Sequence, residues 1–133
     1  MNLPTGALSF SLFVGNNQGT NCQLKTYRGE LLYYRSDRPF GTQQFFREAR
    51  VISCDMETLF LALEPCTRWN RSYYNTAIAD GEQWEVVIHR KGQETRSFGS
   101  NAYPEDFDRV LKTIEAVIDE KIPFRGTRVA AAV

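Results

Sequence analysis

His89 is the only histidine in 133 residues, and it is the natural candidate for acid–base work because an imidazole titrates near neutrality. Such a role needs a nucleophile or an oriented substrate beside the ring. The available thiols are Cys22, Cys54 and Cys66, all distant from it in sequence. Three cysteines are an odd number, and their spacing matches neither a C-x-x-C pair nor a zinc-ligand set. They read as reduced thiols, with no disulfide framework and no metal. Carboxylate pairs occur at Asp106 with Asp108 and at Asp119 with Glu120, but both fall on the wet side of a helix pattern rather than around a cleft. Gly99-Ser100-Asn101 lies just ahead of that helix, where free N–H groups can hold an anion. It lacks Walker or dinucleotide spacing, and Glu105 and Asp106 would oppose an anion there. No catalytic residue, metal ligand or cofactor is therefore assigned.

Residues 64–79 form the longest stretch without a period, and they hold Trp69, Arg71, Tyr73 and Tyr74. Aromatics and arginine are the side chains that anchor protein–protein interfaces, so these four are the candidate partner-binding residues. The alternative is that Trp69 and Tyr73 fold back and close one end of the core. A second surface interleaves Lys25, Arg28, Arg35, Arg38, Arg47 and Arg50 with Tyr27, Tyr33, Tyr34 and Phe46. Rings and cations on a sheet are the equipment of a single-strand nucleic-acid binder, although no RNP-like motif is present. A third possibility is a pocket between helix and sheet, built on His89 and a cysteine, in a small enzyme or ligand-binding domain.

The elements that must position these groups are read from periodicity. Leu8, Phe10, Leu12 and Val14 alternate with Ala7, Ser9, Ser11 and Phe13, and Cys22, Leu24 and Thr26 with Gln23, Lys25 and Tyr27, so two half-buried strands flank a turn over 15–19. Arg28-Gly29 marks a second turn and residues 31–35 a third strand. Residues 36–42 have loop composition, and 45–53 read as a fourth strand with Arg47, Ala49, Val51 and Ser53 on one side. Asp55 is a good N-cap for a short helix through M-E-T-L-F-L-A-L before Pro65, although a strand through Leu59, Leu61 and Leu63 fits the same run.

The clearest stretch is 80–120. Trp84, Val86 and Ile88 share one strand face, and Lys91-Gly92 is the turn of a hairpin. A two-residue turn sets Arg90 against Gln93, His89 against Glu94, Ile88 against Thr95 and Val87 against Arg96. The small side chains of Thr95 and Ser97 leave room for a bulky element on the sheet. Phe107, Val110, Leu111, Ile114, Val117 and Ile118 form one apolar helical stripe that fills it. Pro104 suits the first helical position, Asp108 and Lys112 can pair one turn apart, and Pro123 ends the helix. The order β-β-β-β-α-β-β-α gives an α+β domain, an antiparallel sheet of about six strands with the C-terminal helix on one face. Residues 1–124 read as a single domain and 125–133 as a tail with little to pack.

Composition narrows the function classes. Hydrophobic residues make up 42% and aromatics 13%, which supports a packed core over disorder. Sixteen basic residues balance sixteen acidic ones, so no overall field attracts nucleic acid or anionic lipid. The charge is segregated, with residues 25–50 basic and 80–121 acidic. No basic leader precedes an apolar run and no stretch is long enough to span a bilayer, so a cytoplasmic protein is expected.

Asp80, Gly81, Trp84, Gly99, Asn101, Tyr103, Pro104 and Phe107 together resemble the pattern of small uncharacterised bacterial domains. Those domains have a D-G-x-x-W strand, a G-x-N-x-Y-P connector and a terminal helix. The resemblance covers the C-terminal third and implies a structural hairpin–turn–helix unit, with accessory or immunity-like binding as an association. The expected function is non-enzymatic binding of another protein, such as a toxin or enzyme target, by an inhibitor or immunity-type domain that is a monomer or homodimer.

Overall fold

The computed structural model describes residues 8–15, 21–36, 48–75 and 82–122. Seven strands form one sheet: β1 (Leu8–Gly15), β2 (Asn21–Tyr27), β3 (Glu30–Ser36), β4 (Arg50–Ile52), β5 (Ser72–Tyr74), β6 (Gln83–Arg90) and β7 (Gln93–Ser100). Their order across the sheet is β4-β3-β2-β1-β6-β7-β5. Among the described residues two helices, α1 (Met56–Ala62) and α2 (Phe107–Ile118), accompany the sheet in an α+β fold, with a 3-10 turn at Glu64–Arg68.

Local chemistry sets the hairpins. At Arg28-Gly29 the φ values are 52° and 81°, and at Lys91-Gly92 they are 53° and 79°. Two successive left-handed residues make the turn whose twist matches that of paired strands, and glycine takes the second place without steric cost. The turn at Lys91-Gly92 fixes the expected register, with His89 opposite Glu94 and Val87 opposite Arg96. That register carries Trp84, Val86 and Ile88 to the face on which Phe10, Leu12, Val14, Cys22 and Leu24 also lie. All eight are buried.

Both helices cover that face. Asp55 caps α1 through a hydrogen bond from the Glu57 N–H at 3.2 Å, and its carboxylate also accepts from the Thr58 hydroxyl at 2.7 Å. Leu59 drops into the core, and Phe60 meets Phe10 edge-on at 6.1 Å. Phe107, Val110, Leu111, Ile114 and Ile118 are the buried stripe of α2, as the spacing predicts, with Val117 half-buried beside them. Asp108 and Lys112 pair at 3.4 Å on its wet side.

Three expectations change. The sheet has seven strands, not six, and it is mixed, because β5 runs parallel to β7 at the edge. Three residues are too short to show a period, so 72–74 read as loop. The fourth strand pairs only over Arg50–Ile52, and 45–47 lie outside the described residues. Pro104 is not the first helical residue either. Helix α2 begins at Phe107, and Pro104 closes the preceding turn through its carbonyl, which accepts from the Phe107 N–H at 3.1 Å.

The connector between β7 and α2 explains the G-x-N-x-Y-P spacing. The Trp84 indole Nε1 donates to the Ala102 carbonyl at 2.9 Å, and a Cβ on Gly99 would sit 2.3 Å from that same nitrogen. Asn101, at φ 57°, donates its N–H to the Glu82 carbonyl, while its side-chain oxygen accepts the Glu82 N–H, each at 2.9 Å. The Tyr103 hydroxyl then donates to the Glu82 carboxylate at 2.8 Å. Asp80, Gly81 and the tail 125–133 lie outside the described residues.

Candidate binding groove

The chemistry-bearing residues are kept apart. His89 stands on the sheet face away from the helices, half-exposed, with Nε2 3.4 Å from Glu94. Arg96 clasps Glu94 at 3.1 Å and Glu85 at 2.7 Å on the same face. Its hydrogen bond holds the Glu94 carboxyl below the usual range. Cys22 and Cys66 are buried within the core on the other side, and Cys54 is half-buried; all three are free thiols. Burial pushes Cys22 and Cys66 up to about 12 and raises Cys54, so none is primed as a thiolate nucleophile. The structure does not bring His89 together with a cysteine.

The acids are likewise dispersed. Asp106 accepts the Trp69 indole N–H at 2.8 Å, and Glu120 pairs with Arg50 at 2.9 Å. Among the described residues no group of three or more His, Cys, Asp or Glu could hold a metal. Gly99-Ser100-Asn101 is used by the fold: Asn101 brackets the Glu82 backbone, and the Ser100 carbonyl accepts from the Asn75 N–H at 3.0 Å.

Of the four candidate interface residues, Trp69 and Tyr73 pack against the core. Trp69 meets Trp84 at 5.7 Å and Phe107 at 5.6 Å, and Tyr73 lies 5.8 Å from Trp84. The Tyr73 hydroxyl accepts from the Asn70 N–H at 2.8 Å. Arg71 is exposed, and Tyr74 is 61% exposed, edge-on to Phe98 at 5.9 Å on the outer sheet face. In the basic–aromatic set, Tyr33 and Tyr34 are buried, so their rings present no open face for a base. The Tyr33 hydroxyl donates to the Lys121 carbonyl at 2.6 Å, and Arg50 lies over its ring. Arg38, Phe46 and Arg47 lie outside the described residues.

A groove of about 690 Å³ opens elsewhere on the surface, between α1 and the sheet end formed by the Arg28-Gly29 turn, Ser9 and Arg90. Met56, Glu57, Phe60 and Leu61, whose spacing keeps them on one side of α1, form its helix wall with Glu64 at the start of the 3-10 turn. Tyr27 and Arg28 form the opposite wall, with the Arg28 guanidinium 5.1 Å from the Tyr27 ring centre. Leu61 is 69% exposed and Tyr27 is 40% exposed.

Sequence reasoning missed this groove, yet a signal was present. The run M-E-T-L-F-L-A-L holds more apolar side chains than one core-facing stripe requires. Leu59, Ala62 and Leu63 meet that requirement; Met56 and Phe60 are half-buried and Leu61 is left on the surface. A surface helix with more apolar side chains than its core-facing stripe uses leaves the surplus in solvent, as Leu61 is here.

Compared with known proteins, the chain matches no family model, no curated protein and no solved structure.

Proposed function

We propose that this chain is a non-enzymatic binding domain whose partner is another protein, and that the groove between α1 and the Arg28-Gly29 turn is where the partner docks. The surplus apolar face of α1, with Leu61 69% exposed over the groove, carries this reading. Leaving a large aliphatic side chain in water forgoes roughly 1.5–3 kcal/mol of burial, which a bound partner would recover. Methionine, aromatic rings and arginine are the groups enriched in protein interfaces, and the groove has all three in Met56, Tyr27, Phe60, Arg28 and Arg90. The separation of His89, the thiols and the carboxylates adds support. An inhibitor or immunity-type role, occluding a toxin or enzyme target, is the concrete form of this activity.

The test compares captures from lysate by the full chain, its Leu61→Asp variant and its Tyr74→Ala variant, with mass spectrometry of what co-purifies. A stoichiometric protein partner that is lost with Leu61→Asp and kept with Tyr74→Ala is the expected result. Loss with Tyr74→Ala alone would move the interface to β5. A partner indifferent to both changes would overturn the reading.

A further inference from the structure

We infer that the groove receives a partner segment bearing an acidic side chain a few residues from bulky apolar ones, with the carboxylate seated on Arg28 and Arg90. This deepens the binding reading above and rests on it. Among the described residues neither Arg28 nor Arg90 forms an ion pair, although both line the groove. The acids on the helix wall are placed differently. Glu64 is matched by Arg68 at 2.5 Å, and Glu57 sits in the first turn of α1, where the helix dipole favours a carboxylate. The groove therefore has its unpaired guanidinium groups on the sheet side and, on the helix side, the apolar side chains of Met56, Phe60 and Leu61 edged by Glu57 and Glu64.

That arrangement orients its occupant. Bulky apolar side chains lie against Met56, Phe60 and Leu61, and the partner's acid faces Arg28 and Arg90, because Glu57 repels it from the helix wall. Guanidinium groups suit this role, since their forked donors match a carboxylate. A protein segment fits better than a small molecule. Small-molecule sites enclose most of their ligand, whereas Leu61 on the helix wall is 69% exposed.

A random peptide library displayed on phage, selected on the full chain, tests the inference. Selections on Arg90→Glu, on Arg28→Asn and on Leu61→Asp run beside it, each variant checked for a native circular dichroism spectrum. Asparagine is chosen at position 28 because it tolerates the left-handed backbone there. Enriched peptides should carry aspartate or glutamate near leucine, phenylalanine or methionine. Their affinity should fall roughly fivefold or more with Arg90→Glu, weaken with Arg28→Asn, and weaken with added salt. Peptides that depend on Leu61 yet lack acids, or ignore both arginine changes, would overturn this inference and leave the groove reading standing. Enrichment of no peptide that depends on Leu61 would overturn both.

Discussion

Glycine at position 99 is required for space rather than for backbone freedom. A side-chain carbon there would lie 2.3 Å from the Trp84 indole nitrogen and 2.6 Å from the Ala102 carbonyl oxygen. Those two atoms are themselves hydrogen-bonded at 2.9 Å, so neither can retreat without breaking the link that ties β6 to the connector. Gly99→Ala should therefore cost about 1–3 kcal/mol, the usual penalty for overfilling a packed site. Urea unfolding of the two proteins measures it, and a loss under about 0.5 kcal/mol would mean that the connector shifts freely. The same cluster gives the buried Glu82 its place. Its backbone is bracketed by Asn101 and its carboxylate takes the Tyr103 hydroxyl, which burial and the neighbouring Glu82 hold well above its ordinary range.

Elements were legible in proportion to their length and their periodicity. The hairpin β6–β7 and helix α2 could be placed from sequence, because eight alternating residues or twelve with a 3.6-residue period over-determine an answer. Strand β5 could not, since three residues carry no period and its parallel seat on β7 depends on the path of the whole preceding segment. The groove was hidden for a related reason: α1 reads as a core helix until tertiary structure shows which of its apolar residues the core accepts. Segment 69–74 divides in the same way. Trp69→Ala should cost about 3 kcal/mol, because it removes two ring contacts within the core edge and the hydrogen bond to Asp106. Tyr74→Ala should change stability by about 0.5 kcal/mol or less, because that ring is mostly in solvent. Guanidinium unfolding of both variants decides between core closure and interface for each residue. Equal effects would break the division drawn here.

At the scale of the whole molecule, one core extends from Phe10 and Leu59 at the groove end to Trp84 and Phe107 near β5, and titratable hydrogens are trapped in it. Burial pushes Cys22, Cys66 and Tyr33 each up to about 12, from ordinary values of 9.0, 9.0 and 10.0. Each group is neutral when protonated, so the native state keeps its protons where the unfolded chain has already released them. The unfolded state then binds fewer protons, and stability falls as pH rises. The contribution is intact below about pH 9 and is lost progressively through about pH 12. Melting temperature followed by circular dichroism should be nearly flat from about pH 6 to 8 and decline above about pH 9. Cys66→Ala lowers the neutral-pH value by creating a small cavity, but its alkaline decline should be shallower, since one of the trapped protons is gone. An unchanged slope in that variant would show that the buried thiol does not couple folding to pH. Thiol labelling then gives an independent reading of the same core: Cys22 and Cys66 should react with a thiol reagent only when the domain opens, at the rate of global unfolding.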